Sequence, residues 1–167
     1  MVLFDFAGAV VDACFYNQLV APGLKHSGDA KTGEESQGGF DEVITIDVDA
    51  LPPTASMMAF VVNCFHGGDF SCVETAGAQV GALLDASGKN VQPIASISIG
   101  CGGQSTACIL AVMHKRGGSW MLRAVGTMAD GRNFQESMPA IRKVIDTLID
   151  PGLRGERVLS MDKVLDG

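Results

Sequence analysis

The stretch Thr106-Ala-Cys-Ile-Leu-Ala-Val-Met-His114, Lys115-Arg-Gly-Gly-Ser119, Trp120-Met-Leu-Arg-Ala-Val125 decides the fold. Two apolar runs of strand length flank a Gly-Gly turn, the pattern of a β-hairpin. Working upstream, Ala78–Asp85 and Val91–Ile99 flank Ser87-Gly88-Lys89-Asn90 in the same way. Met57–Phe65 is a continuous apolar run, as expected of a strand covered on both faces, and His66-Gly-Gly-Asp69 ends it. Glu42–Val48 alternates, and Pro52-Pro53 lies just beyond it, where a central ladder cannot continue. Val2–Phe6 and Ala9–Tyr16 flank a tight turn at Asp5-Phe-Ala-Gly8. Seven or eight strands at this spacing predict an all-β fold, a two-sheet antiparallel β-sandwich.

Downstream of Gly126 the period changes. Ile141, Val144, Ile145 and Leu148 follow the helical spacing, so a C-terminal α-helix is expected from about Ser137, its N-cap, to Ile149. Pro139 suits the first turn, Asp150-Pro151 closes the helix, and Val158–Leu165 is read as one or two further turns. The division expected is a sandwich over residues 1–128 and a helical extension over 129–167, packed on or beside it.

Composition bounds the function. The 167 residues make one ordinary domain, and 47% apolar against 19% charged residues excludes a disordered chain or a coiled coil. No apolar run reaches a membrane span, and no basic start with an apolar stretch marks a signal peptide. The five cysteines, odd in number and without a C-x-x-C pair, are read as buried reduced thiols. His26, His66 and His114 lack the paired spacing of zinc ligands. Gly100-Cys-Gly-Gly103 has no following Gly-Lys-Ser/Thr, so it is not read as a phosphate loop. No nucleophile and base can be singled out, and Trp120 and Phe15 read as core anchors.

Charge is uneven. Residues 1–60 carry nine acids and only two bases, whereas the remainder is balanced, so the whole formal charge of −7 lies in the first third. That field repels nucleic-acid phosphate and attracts cations. Its densest part is His26–Glu42, which overlaps the long Gly-rich connection Val20–Phe40 and runs just past it, where Asp29, Glu34, Glu35, Asp41 and Glu42 stand among Ser, Thr and Gln oxygens and four glycines. Clustered carboxylates suit a hard divalent cation such as Ca²⁺, which takes about 6–8 oxygens. The spacing is not that of an EF-hand, and a solvated acidic loop is the alternative reading.

Several motifs then stand in register over about residues 14–128: Phe15-Tyr-Asn-Gln18, His26-Ser-Gly-Asp29, Thr32-Gly33, Asp41-Glu-Val-Ile44, Gly117-Gly-Ser-Trp120 and Arg123-Ala-Val-Gly126. Together they resemble the TerD family of tellurium-resistance and stress proteins. The resemblance implies a cytoplasmic β-sandwich that binds Ca²⁺ through acidic loops, without catalytic activity; cyclic-nucleotide binding is a minor implication. Carried over, it makes Asp29, Glu34, Asp41 and Glu42 the metal ligands. This chain departs from the family pattern at Ala30 and Phe40, and it starts after the family's Asp-x-Asp-x-Ser segment. The sandwich edge is therefore expected to be covered by the C-terminal helix, by a protein partner or by self-association, unless the sequence is a piece of a longer chain. Two functions follow: a Ca²⁺-binding stress or scaffold domain whose loop orders into a docking surface, or a metal-free structural subunit that binds a protein.

Overall fold

The computed structural model of the chain describes residues 1–30, 39–74, 76–85, 90–100, 103–149 and 159–160. The fold class is the one expected: mostly β, largely antiparallel and sandwich-like, with one helix near the C-terminal end. The described strands lie in sheets of six, three and two strands. The chain divides into two compact units, Met1–Met58 and Ala59–Gly167.

In the first unit, β1 (Val2–Phe4) pairs antiparallel with β2 (Val10–Ala13), Val2 opposite Ala13 and Phe4 opposite Val10. All three β1 side chains are fully buried, and with Cys14, Leu24, Leu51 and Met58 they form this unit's core. The Asp5 carboxylate accepts the amides of Ala7 and Ala9 at 2.9 and 2.8 Å, which bends the chain sharply after β1. Phe6, read both as the end of the strand and as part of the turn, sits in the turn and is 83% exposed.

The connection expected over Val20–Phe40 begins instead as sheet. β3 (Val20–Ala21), β4 (Leu24–His26) and β5 (Ile44–Ile46) run antiparallel in that order, with Lys25 opposite both Val20 and Thr45. Pro22-Gly23 reverses the chain between the first two, Gly23 adopting φ +73°. The Gly23 carbonyl then accepts the Asp47 amide at 2.8 Å, which ties the turn to the chain beyond β5.

β6 (Met57–Asn63) begins in the first unit, where the Ser56 amide donates to the Phe4 carbonyl, and continues into the second. There the strand order is β6, β9 (Ala107–Arg116), β10 (Ser119–Ala129), β11 (Leu159–Ser160). β9 is buried from Ala107 to Met113 because it has a strand on each side and side chains on both faces. Gly117 and Gly118, at φ +60° and +92°, supply the two left-handed residues of the expected hairpin turn. β10 carries a bulge: Ala124 lies opposite Ala111 and Thr127 opposite Ile109, so Val125 and Gly126 together face a single residue. β7 (Gly77–Leu83) and β8 (Val91–Ser98) form a separate antiparallel pair, as expected.

The helix α1 (Met138–Ile149) buries Ile141, Val144 and Ile145, in agreement with the sequence period. Ser137 precedes it, but its hydroxyl is not a helix cap. That hydroxyl accepts from Asn63 Nδ2 at 2.9 Å and donates to the Asn133 carbonyl at 3.0 Å, and Ser137 is wholly buried. The turn before α1 is held by Asn133 and Glu136, each bonding the other: the Glu136 amide donates to Asn133 Oδ1, and Asn133 Nδ2 donates to Glu136 Oε1. Within the region read as further helical turns, Leu159–Ser160 is instead extended and pairs with Met121 and Leu122 of β10. An open strand edge offers unpaired donors and acceptors that a short segment satisfies by extending along it. Among the described residues no helix is long and apolar enough to cross a membrane.

Candidate functional site

The acidic loop starts where β4 ends. His26 closes β4 opposite Ile44 and is only 6% exposed. Its Nδ1 accepts the Gly28 amide at 3.1 Å, which leaves Nε2 as the protonated nitrogen of the neutral ring. Nε2 stands 3.4 Å from Glu42 Oε2, while Glu42 Oε1 accepts the Ala30 amide at 3.3 Å. Two further bonds close the loop base: the Ser27 amide donates to the Val43 carbonyl at 2.8 Å, and the Val43 amide donates to Ser27 Oγ at 2.9 Å. Residues 26–30 and 42–43 are thus bound together across the loop.

Of the four ligands expected, Glu42 is at this base, with its side chain 42% exposed and its charge facing His26. Asp41, its neighbour in sequence, is exposed, and so is Asp29, which adjoins the Ala30 that bonds Glu42. Glu34 lies outside the described residues, as does its neighbour Glu35. Among the described residues no three His, Cys, Asp or Glu side chains converge as a metal-binding group. The donor chemistry of the loop fits a hard cation, since it offers carboxylate oxygens, and an ionised carboxylate has lone pairs beyond those that Glu42 already uses.

His26 is the residue that spacing arguments missed. Its lack of a paired histidine counts against zinc and says nothing of a buried ring that anchors a loop. The available signal was local: Leu24-Lys25-His26 alternates, which puts His26 on the same face as buried Leu24. Cys14 packs in the same unit, its thiol directed at the Leu19 carbonyl at 3.6 Å, and burial pushes it above the ordinary thiol range.

The weaker candidates resolve into structural roles. Asp69 accepts from the Ser71 amide and hydroxyl, which holds its carboxyl below the usual range and caps the 3-10 turn Phe70–Cys72. His66 is exposed and lies edge-on to Phe65. Arg132 closes this corner, its Nη1 donating to the carbonyls of Cys64 and Gly68 at 2.9 and 3.1 Å. Cys14, Cys64, Cys72 and Cys108 are free thiols, whereas Cys101 lies outside the described residues. Trp120 is buried with the Lys115 ammonium 5.2 Å above its ring, and Phe15 is half-buried against Tyr16.

The fold and this loop define a small antiparallel β-domain whose acidic connection is drawn together at its base by a buried histidine. The TerD domain family model matches residues 7–136, from the β1–β2 turn to the end of the Asn133–Glu136 turn, and the chain belongs to that family. It is 31% identical over 137 residues to the tellurium resistance protein TerZ of Serratia marcescens, covering 81% of this chain and 67% of that protein.

Proposed function

We propose that this chain is a non-catalytic, Ca²⁺-binding stress-response domain of the cytoplasm, serving tellurium resistance as the name of its TerZ relative suggests. The observation that carries the proposal is the closed loop base. By holding residue 30 beside residue 42, Glu42 brings the two ends of the acidic loop together, and the charge between them is repulsive without a counter-ion. Asp29, Glu34, Asp41 and Glu42 are the oxygen donors that Ca²⁺ would take. When bound, the ion supplies charge neutralisation and stiffens the loop into a docking surface for a protein partner or a second copy.

Calorimetric titration of the full chain with CaCl₂ tests this. The expected result is saturable binding that weakens at least tenfold in Asp29→Asn and in Asp41→Asn, each of which alters an exposed side chain and leaves the loop base intact. No saturable signal from the unaltered chain refutes the Ca²⁺ reading. A second reading then stands, a metal-free subunit that binds a protein. It is supported by Glu42, whose charge already faces His26, and by the exposed apolar side chains Phe6 and Val20.

A further inference from the structure

Two thiols stand at the corner that ends β6, and the acidic loop uses neither. Cys64 follows the last residue of β6, and Cys72 ends the 3-10 turn Phe70–Cys72. Cys14 and Cys108 are buried, as the sequence suggested for all five, but Cys64 is only half-buried and Cys72 is exposed.

Backbone bonds fold the segment between the two thiols back on itself. The Cys64 amide donates to the Thr106 carbonyl at 2.8 Å, and the Phe70 amide donates to the Ser105 carbonyl at 3.0 Å. Both ends of the segment are therefore fastened to adjacent residues just ahead of β9. Arg132 Nη1 bridges the carbonyls of Cys64 and Gly68, which draws the middle of the segment toward Cys64. Gly68 in turn backs onto Cys72: a Cβ at Gly68 would lie 3.7 Å from the Cys72 sulfur and 3.9 Å from its Cβ. Gly67 and Gly68, at φ +105° and +66°, allow this reversal and bring no side chain of their own between the thiols.

The surroundings suit sulfur chemistry. Burial pushes the Cys64 thiol up, the Arg132 charge pulls it down, and Asp69 and Cys72 push it up again, so the two sulfurs lie within each other's field. The Ser71 hydroxyl, which donates to Asp69, lies 3.9 Å from Cys72 Sγ. An exposed thiol with a second, sheltered thiol in reach is the arrangement of a sulfur pair that oxidises in two steps.

We propose that Cys64 and Cys72 form a reversible oxidation site, a dithiol that a hydroperoxide converts to a disulfide. Cys72 meets the oxidant. Its thiolate attacks one peroxide oxygen, the O–O bond breaks, and the sulfur gives up two electrons to become a sulfenic acid, while the other oxygen leaves as hydroxide and takes up a proton as water. Cys64, whose thiolate Arg132 favours, then attacks the sulfenic sulfur. The S–S bond forms, the S–O bond breaks, and the departing hydroxide takes the proton that Cys64 released. Overall the dithiol loses two electrons and two protons, and one hydrogen peroxide becomes two waters. A small thiol reductant restores the pair by exchange. The site lies in the second unit and does not depend on Ca²⁺.

The test treats the full chain with hydrogen peroxide under native conditions and blocks the remaining thiols by alkylation. Disulfides are then mapped by mass spectrometry after unfolding and cleavage before Asp69, which separates the two cysteines. The expected result is a Cys64–Cys72 disulfide about tenfold more abundant than any other pairing, because the fold holds these thiols together. Dithiothreitol should remove it. Cys64→Ser should stop Cys72 at the sulfenic acid, which dimedone traps, and Cys72→Ser, at an exposed position, should leave Cys64 reduced. Absence of the Cys64–Cys72 disulfide overturns the proposal. So does preferential joining of Cys72 to Cys101, which lies outside the described residues, or to a second copy of the chain.

Discussion

Gly23 sits in the turn that creates the small sheet leading into the acidic loop, and Gly23→Ala measures how tightly that turn is packed. At φ +73° a residue with a Cβ is strained by about 1 kcal/mol. The added carbon would also lie 2.7 Å from the Asp47 carbonyl oxygen and 2.7 Å from the Leu51 amide nitrogen, with the Ala50 carbonyl carbon at 2.9 Å. All three are backbone atoms, so no side chain can rotate away to relieve the contact. Relief requires the chain beyond β5 to move outward, which weakens the 2.8 Å bond from the Asp47 amide to the Gly23 carbonyl. That bond contributes about 1 kcal/mol. Displacing the buried Leu51 costs a further increment of similar size. The expected destabilisation is about 3 kcal/mol. Urea unfolding followed by far-UV circular dichroism measures it, with Gly117→Ala as the reference. Gly117 has a similar φ of +60°, but a Cβ there meets nothing within 4 Å, so only the conformational strain of about 1 kcal/mol applies. If Gly23→Ala is no more destabilising than Gly117→Ala, the packing argument fails.

Two further outcomes concern the second unit. Ser137→Ala removes both hydrogen bonds of a fully buried hydroxyl while Asn63 keeps its 2.7 Å bond to the Gly131 carbonyl. A loss of about 2 kcal/mol in urea unfolding is expected, and a loss below about 0.5 kcal/mol would mean that the hydroxyl does not secure the start of α1. His114 has its pKa depressed in the folded chain, so the unfolded chain binds its proton more readily. The stability tied to its neutral form is complete above the unfolded value of about 6.5 and is lost as pH falls through that value toward the folded one. The unfolding midpoint of the unaltered chain should therefore fall relative to that of His114→Gln between pH 7 and pH 5, and parallel pH profiles would contradict the assignment.

The elements read correctly from sequence share a local cause. The Gly117-Gly118 hairpin, the β7–β8 pair and the α1 face at Ile141, Val144 and Ile145 are written in periods of two or 3.6 residues and in turn residues that tolerate positive φ. The family motifs are local in the same sense, which is why the family could be read over most of the chain. The acidic loop was legible as composition alone. That Glu42 faces His26 sixteen residues away, and that Ala30 donates to the same carboxylate, follows from the closure of β4 on β5 and appears in no short pattern.

Ser137 shows the same division. A serine just before an apolar helical period has the pattern of an N-cap, yet the partner that claims its hydroxyl is Asn63, 74 residues earlier. The Val125–Gly126 bulge is equally silent in sequence, because a register shift exists only relative to the partner strand. The chain by itself determined its longer strands, its helix, its family and the gathering of negative charge in its first third, all consequences of side-chain period, turn chemistry and composition, whereas β3 and β4 read as a connection and β11 as helix. Tertiary structure alone decided which polar groups meet, because burial leaves a donor no water to turn to and makes it bond whatever distant residue the fold brings within reach.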